Sequence, residues 1–224
     1  MLETVQPEIR KVCGITQPAD ALHAVRCGAN AIGMIFYAGS PRAVRVSHAA
    51  MIAAVVPGEV RRVGVFVDED PETIVNTVRA ARLDVVQLHG TEAPDRCAWI
   101  RDELPKGVEI WKAVRVGAGF RAADLEAFKV DAFLLDSAKD GTYGGTGETF
   151  PWPLALAAKQ YGKIVVSGGL DGSNVAEAIR EIGPWAVDAS SRLEKKPGVK
   201  DPDKVRAFLA AASGFKPITL QVLT

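Results

Sequence analysis

Short apolar runs alternate with amphipathic segments along the chain, and Gly, Pro, Asp and Ser mark the joins between them. The apolar runs predict strands near residues 9–13, 30–35, 61–67, 83–88, 109–114, 131–135, 163–167 and 185–188. The amphipathic segments predict helices near residues 18–27, 48–56, 71–81, 93–103, 121–128, 153–161, 173–182 and 202–212. The chain therefore repeats a strand and a helix eight times.

The composition of the predicted strands indicates the type of sheet. They are nearly all Val, Ile, Leu and Ala, as is typical of strands buried on both faces in a parallel sheet covered by helices. Eight such units in about 210 residues fit a closed (β/α)8 TIM barrel. An open doubly wound sheet is the main rival, but the first turn, CGIT at 13–16, lacks the GxGxxG pattern of dinucleotide-binding folds. We predict a single α/β domain, a barrel over residues 1–213, followed by a C-terminal tail at 214–224 of unknown structure.

Charge and composition narrow the class of partner. Lys and Arg number 27 together, as do Asp and Glu, so neither nucleic acid nor an anionic membrane is expected as a partner, and the ligand should be a small molecule. No apolar run approaches the roughly 20 residues of a membrane span, and the N-terminus lacks the apolar core of a signal peptide, which predicts a cytoplasmic protein. The three cysteines are widely spaced and form no CxxC pair, so reduced thiols and no metal site are expected.

In a (β/α)8 barrel the active site lies at the C-terminal ends of the strands, so the first polar residues after each strand are the candidates for chemistry. These candidates are Cys13, Arg42, Asp68, His89, Arg115, Asp136, Ser167, Gly168, Gly169, Asp188, Ser190 and Ser191. Barrel closure would bring them together around one mouth.

Three loops after the last three strands offer backbone N–H groups and hydroxyls. Their residues are Gly144, Gly145, Thr146, Gly147, Gly168, Gly169, Ser190 and Ser191. This side of a barrel mouth is the usual phosphate site, where backbone N–H groups and the positive end of a short helix bind the anion. A single glycine could simply turn a corner, but three such loops together favour phosphate binding.

Cys13 ends the first predicted strand, immediately before a glycine. A free cysteine often packs as a small hydrophobic residue, and packing alone is one interpretation of this position. A catalytic thiol instead needs a nearby cation or a lowered pKa, because the thiolate is the reactive form. Lys11 lies on the same face of the strand and is the candidate cation; the alternative is that the layers of the barrel interior keep it too far below the thiol.

Three further side chains each have a chemical and a structural interpretation. Asp136 emerges directly from an apolar run, and burial favours the protonated form of a carboxyl group, which suits a proton donor; the alternative is a cap of a loop or helix. Arg42 could hold a carboxylate through two parallel hydrogen bonds, or it could be a solvated loop residue. His89 lies at the catalytic end of its strand, although a lone histidine is more often structural.

Nine motifs lie in register between about residues 9 and 212: KVCGIT at 11–16, SPR at 40–42, VGVF at 63–66, VQLHG at 86–90, LDS at 135–137, GGTG at 144–147 with TFPW at 149–152, SGGL at 167–170, VDASS at 187–191 and PGVKD at 197–201. Together they resemble the phosphoribosylanthranilate isomerases of tryptophan biosynthesis. The resemblance implies a (β/α)8 barrel and an Amadori rearrangement of N-(5-phosphoribosyl)anthranilate to 1-(2-carboxyphenylamino)-1-deoxyribulose 5-phosphate. It implies no metal and no organic cofactor.

The resemblance also implies roles for the candidates. Asp136 would be the general acid that protonates the furanose ring oxygen, so that the ring opens to a Schiff base. Cys13 would be the general base that removes the proton from the second sugar carbon and gives an enolamine, which tautomerises to the ketone. Arg42 would hold the anthranilate carboxylate, His89 and Asp188 would bind the substrate, and the three late loops would take the phosphate.

Arg192 departs from the family pattern, in which a glycine follows the paired serines. Its side chain would narrow the backbone site, or its guanidinium would pair with the phosphate or with Glu194. The sequence leaves these arrangements open.

Other functions are also consistent with a phosphate-binding barrel. An isomerase of histidine biosynthesis, or a dual-substrate form, generally uses two aspartates, and Cys13 argues against it. A non-catalytic sensor of a phosphate ligand would not need both Cys13 and Asp136, and a thiol-redox protein would need a second cysteine near Cys13. The sequence does not distinguish a monomer from a homodimer.

Overall fold

A computed structural model describes residues 6–117, 119–137 and 152–214. Eight parallel strands close into a barrel in chain order. They are β1 Ile9–Val12, β2 Ala31–Ile35, β3 Arg61–Phe66, β4 Val85–Leu88, β5 Glu109–Val116, β6 Ala132–Ser137, β7 Lys163–Val166 and β8 Ala186–Ala189. Pairing of β1 with β8, with Lys11 opposite Asp188, closes the ring. The predicted (β/α)8 barrel is confirmed.

Seven α-helices surround the strands in the described part of the chain. They are α1 Pro18–Arg26, α2 Val46–Val55, α3 Pro71–Ala81, α4 Pro94–Glu103, α5 Pro153–Ala158, α6 Val175–Ile182 and α7 Pro202–Ala212. Most begin with proline, whose fixed φ and missing N–H suit the first helical turn. Asp70 caps α3 by accepting a hydrogen bond from the Thr73 N–H, and Asp201 caps α7 by accepting one from the Asp203 N–H.

Two elements differ from the sequence-based prediction. The segment Ala122–Ala127 is a 3₁₀ helix, not the α-helix predicted at 121–128, because only Leu125 in this short segment is buried and little packing holds a longer helix. An unpredicted antiparallel hairpin, β9 Glu194–Lys196 and β10 Val199–Lys200, follows β8. The predicted boundary between barrel and tail at residue 213 stays a prediction, and residues 215–224 of the tail lie outside the described residues.

The inward side chains form layers from an apolar base to a polar mouth. The base contains Ile9, Ala31, Val63, Val85, Trp111, Ala132, Leu134, Val165 and Ala186. Trp185 packs edge-on against Trp111 there, with ring centroids 5.5 Å apart. Because alternate residues of a strand face the same side, the residues two positions beyond Leu134 and Ala186 are Asp136 and Asp188, which face the mouth.

Candidate active site

One pocket at the C-terminal ends of the strands contains all the candidate residues that the structure describes, except Asp68 and Arg115. Those in the pocket are Cys13, Arg42, His89, Asp136, Ser167, Gly168, Gly169, Asp188, Ser190 and Ser191. The predicted phosphate-binding residues Gly144, Gly145, Thr146 and Gly147 lie outside the described residues. Asp68 instead anchors the loop after β4 by accepting hydrogen bonds from the backbone and hydroxyl of Thr91, and Arg115 lines a neighbouring cavity.

Asp136 is held at the pocket wall near the end of β6, where the residue is only 5% exposed. Its Oδ1 accepts a hydrogen bond from the Ser137 N–H at 3.0 Å, and its Oδ2 lies 3.3 Å from His89 Nε2. Gly168 has a φ of +86°, and a Cβ at this position would lie 3.0 Å from Asp136 Oδ1. A glycine there therefore lets the loop after β7 approach the carboxyl group closely.

Gln87 fixes His89 from the side opposite Asp136. The buried Gln87 donates a hydrogen bond from Nε2 to His89 Nδ1 at 2.8 Å, and its Oε1 has no hydrogen-bond partner among the described residues. In this arrangement the imidazole carries its proton on Nε2 and donates it to the Asp136 carboxylate. Rotation of the Gln87 amide by about 180° would bring Oε1 to Nδ1–H, and Nε2 would then accept a hydrogen bond from a protonated Asp136. Gln87 and His89 can therefore match either protonation state of Asp136.

Cys13 faces the pocket at the end of β1 and is 6% exposed. Its N–H donates to the Ala189 carbonyl at 2.9 Å, and its own carbonyl accepts a hydrogen bond from the Ser190 hydroxyl at 3.1 Å. Burial raises the pKa of the Cys13 thiol, and the nearby Lys11 ammonium opposes this rise without reversing it. The thiol is therefore mainly neutral near pH 7.

Lys11 lies close to Cys13, so of the two arrangements that the sequence left open, the one in which the cation is near the thiol is observed. The long side chain of Lys11 spans one layer, and its buried Nζ lies 3.0 Å from Asp188 Oδ1. Nζ is also close to the Cys13 sulfur, since a Cβ on Gly33 would lie 3.1 Å from Nζ and 2.7 Å from that sulfur. Burial opposes the charge of Lys11, but Asp188 and Cys13 outweigh it and raise the pKa of the ammonium. Asp188 lines the pocket as predicted, but in this structure its carboxylate pairs with Lys11.

Arg42 is fixed by a buried carboxylate and is not a solvated loop residue. Its Nε and Nη2 donate to the two oxygens of Glu194 on β9 at 2.9 and 2.8 Å, and Lys200 on β10 contacts Glu194 Oε1 at 2.9 Å. Burial opposes ionisation of Glu194, but Arg42 and Lys200 outweigh it and lower the pKa of this carboxyl group. Since the pair uses only two of the five N–H donors of a guanidinium, three remain to bind an anion.

Arg192 also lines the pocket, beside the predicted phosphate loops. Its Nη1 donates to Asp171 Oδ2 at 2.8 Å, whereas Glu194 pairs with Arg42 and Lys200. The pair of Arg192 with Glu194 that the sequence suggested is therefore replaced by a pair with Asp171.

Clusters of metal ligands and membrane-spanning helices are both absent from the described part of the chain. No group of three His, Cys, Asp or Glu side chains there could hold a metal ion. None of its helices is both long and apolar enough to cross a bilayer.

Known proteins resemble the chain over nearly all of its length. The family model for N-(5'-phosphoribosyl)anthranilate (PRA) isomerase matches residues 10–211. The N-(5'-phosphoribosyl)anthranilate isomerase of Citrifermentans bemidjiense is 45% identical over 202 residues, which cover 90% of this chain and 95% of that protein. The crystal structure of phosphoribosyl anthranilate isomerase from Thermotoga maritima superposes with a TM-score of 0.82 at 39% identity, covering 92% of this chain and 99% of that chain. A crystal structure of a PRA isomerase in complex with reduced 1-(o-carboxyphenylamino)-1-deoxyribulose 5-phosphate has a TM-score of 0.78 at 36% identity, with the same two coverages.

Proposed function

This chain belongs to the N-(5'-phosphoribosyl)anthranilate isomerase family and is an isomerase of tryptophan biosynthesis, and from that premise we propose how its residues carry out the reaction. Asp136 is the general acid and Cys13 the general base in the conversion of N-(5'-phosphoribosyl)anthranilate to 1-(2-carboxyphenylamino)-1-deoxyribulose 5-phosphate. One observation carries this assignment: a carboxyl group and a thiol from β6 and β1, with β7 and β8 between them, line one pocket.

Ring opening is the first step. Protonated Asp136 donates its proton to the furanose ring oxygen, the bond from that oxygen to the first sugar carbon breaks, and the anthranilate nitrogen forms a Schiff base with this carbon. His89 keeps its proton on Nε2 throughout this step, in the tautomer that the Gln87 Nε2–H fixes, so the carboxylate left behind accepts hydrogen bonds from the Ser137 N–H and from His89 Nε2–H. His89 therefore stabilises the charge that develops on the acid.

Proton removal is the second step. The Cys13 thiolate takes the proton from the second sugar carbon, and the electron pair moves through the Schiff base to give an enolamine, which tautomerises to the ketone. One proton has been added and one removed, so the reaction is a net isomerisation. These steps use protein side chains alone and need no metal or organic cofactor.

Substrate binding divides between two sides of the pocket. The N–H donors of Arg42 that Glu194 leaves available bind the anthranilate carboxylate, as bidentate guanidinium contacts do. The loops after β7 and β8, with Gly168, Gly169, Ser190 and Ser191, bind the phosphate, and Asp188 closes the pocket floor beside Cys13. Gly144, Gly145, Thr146 and Gly147 complete the phosphate site in this proposal.

The oligomeric state and the cellular location of the protein are part of the proposed function. We propose either a monomer or a homodimer, and in both cases Cys13 and Asp136 of the same chain line one pocket. The cysteines Cys13, Cys27 and Cys97 are free thiols, which fits the reducing cytoplasm.

Fluorescence of the substrate tests the function. N-(5'-phosphoribosyl)anthranilate is generated in situ from anthranilate, and its fluorescence is expected to decay on addition of this protein in the presence of a metal chelator. A protein that only senses the ligand would leave the decay rate unchanged, and this outcome would overturn the proposal. Parallel turnover of the histidine-pathway aminoaldose substrate would identify a dual-substrate form.

Replacing Glu194 with glutamine is expected to raise KM about tenfold, a loss of about 1.4 kcal/mol in binding, with a smaller effect on kcat. The neutral amide no longer fixes the Arg42 guanidinium, so the substrate carboxylate meets a less ordered partner. Breaking a buried ion pair also lowers the free energy of unfolding, by about 3 kcal/mol. Steady-state kinetics and urea unfolding measure the two effects.

Glu177→Gln is the matched control, because Glu177 lies on α6 in an exposed pair with Arg180 at 4.0 Å. This change should alter neither KM nor stability appreciably. If Glu194→Gln lowered stability but left KM unchanged, Glu194 would support the fold and have no part in substrate binding.

A further inference from the structure

Lys11 lies beside the proposed base inside the barrel. We propose that Lys11 is a positioning residue for this isomerase: its ammonium holds the Cys13 sulfur at the pocket floor and stabilises it as the thiolate while the sulfur removes the sugar proton. The inference rests on the proposed role of Cys13 as the base and deepens it.

The register of the strands brings the cation to this place. Lys11 and Cys13 are two residues apart, so both side chains face the barrel interior, and Lys11 pairs with Asp188 across the closure between β1 and β8. The side chains of Lys11 and Asp188 are 0% and 5% exposed, and their charged atoms are 3.0 Å apart. A buried ammonium keeps its charge when an anion compensates its desolvation, and Asp188 is that anion.

Gly33 on β2 brings the ammonium and the sulfur together. A Cβ at this position would lie 2.7 Å from the Cys13 sulfur and 3.1 Å from Lys11 Nζ, closer than normal contacts. The sulfur and the ammonium therefore both occupy the space that a side chain would fill. No other residue type fits at position 33 unless these two groups move.

A second buried lysine shows what a purely structural ammonium looks like in this barrel. Lys112 Nζ lies within 3.4 Å of four oxygens, from Leu88, Gly90, Ala113 and Glu92. Lys11 Nζ, by contrast, makes no hydrogen bond among residues 6–117, 119–137 and 152–214, and Asp188 is its ion-pair partner there. An ammonium with this few oxygen partners retains attraction for an anion at the sulfur.

Two other charged groups act on the Cys13 sulfur. Lys200 favours the thiolate, but its ammonium is already bound by Glu194 and by the Ser190 carbonyl. Asp188 disfavours the thiolate. Removal of Lys11 and removal of Asp188 should therefore change the ionisation of Cys13 in opposite directions.

Thiolate absorbance at 240 nm tests directly, without substrate, whether Lys11 stabilises the Cys13 thiolate. Titrations from pH 6 to 11 compare the wild type with Lys11→Met, Lys11→Arg and Asp188→Asn, each after subtraction of the same protein carrying Cys13→Ser. Lys11→Met should raise the midpoint of the Cys13 titration by at least about one pH unit, and Asp188→Asn should lower it. Lys11→Arg should stay near the wild type, and so should Lys195→Met, which removes an exposed lysine.

A Cys13 midpoint that is the same in Lys11→Met as in the wild type would overturn the inference. If Lys11→Met does not fold, because Asp188 is left buried without its partner, the double variant Lys11→Met/Asp188→Asn is compared with Asp188→Asn alone. A midpoint about one unit higher in the double variant supports the inference, and equal midpoints overturn it.

Turnover supplies the second readout. In Lys11→Met, kcat should fall about tenfold at pH 7.5, in proportion to the lost thiolate, and should recover as the pH is raised. Lys11→Arg should restore it. If Cys13 were not the base, the result would be different: Cys13→Ala would retain full turnover even where Lys11→Met shifts the thiol titration.

Discussion

Replacing Cys13 with alanine is expected to lower turnover by about 10²–10⁴-fold while the protein stays folded, because a methyl group cannot accept the sugar proton. Cys13 lines the pocket wall, so loss of its sulfur should cost only about 1 kcal/mol of unfolding free energy. A domain with roughly 5–15 kcal/mol of stability tolerates that loss. The decay of substrate fluorescence measures turnover, and thermal unfolding measures stability.

Cys27→Ala is the control for this variant. Cys27 directly follows α1, is half-buried and lies outside the pocket, so turnover should remain near that of the wild type. Near-full turnover in Cys13→Ala would remove the thiol from the mechanism.

The pH dependence of wild-type activity tests the same assignment of Cys13 as the base. The base must be deprotonated, and burial raises the pKa of the Cys13 thiol, so the thiolate is the minor form at neutral pH. The value of kcat/KM should therefore rise with pH by about tenfold per unit below the thiol pKa, until the thiol is titrated. The residual activity of Cys13→Ala should lack this rise. A rise that persists unchanged in the variant would point to a different base.

Replacing Asp136 with asparagine is expected to cause a second loss of about 10²–10⁴-fold, mainly in kcat. The amide has nearly the same shape as the carboxyl group, so it can still accept the Ser137 N–H and can donate to an accepting His89 Nε2. Substrate binding and fold should survive, but no acidic proton reaches the ring oxygen. Single-turnover kinetics, together with the affinity for the product, separate chemistry from binding.

Asp131→Asn is the matched control, since Asp131 directly precedes β6, at the end of the strand opposite Asp136. Its carboxylate accepts a hydrogen bond from the Ile110 N–H at 2.7 Å and pairs with Arg101 at the barrel base. This change should leave kcat unaltered. Equal losses of kcat in the two variants would mean that the effect of Asp136→Asn comes from damage to β6.

The sequence predicts the fold and the described pocket residues well, because both depend on strand order and on the alternation of side chains. A polar residue that follows a buried strand, such as Asp136, can be assigned to the barrel mouth from that alternation alone. The partners of these residues are harder to predict. The sequence left open whether Lys11 comes near Cys13, since residue spacing does not reveal how far a lysine side chain extends when Gly33 leaves room for it.

Three further residues, which hold His89 and Arg42 in place, gave little signal in the sequence. Gln87 is one polar residue within an apolar strand, and nothing in its position indicates the hydrogen bond to His89. Glu194 and Lys200 belong to a short hairpin that was not predicted, because its segment is rich in turn residues. The motif at 197–201 entered the sequence analysis as part of the family resemblance. Sequence patterns report local structure, whereas Arg42 is fixed by a residue 152 positions away.

That distance has a consequence for the protein during its synthesis. At about 5–20 residues per second, a ribosome makes Glu194 roughly 8–30 seconds after Arg42. Until then a nascent chain holds Arg42 without its carboxylate partner and β1 without β8, however much of the earlier sheet has formed. A chain that terminates before the hairpin would therefore lose not only a distant segment but also the support of a residue made 152 positions earlier.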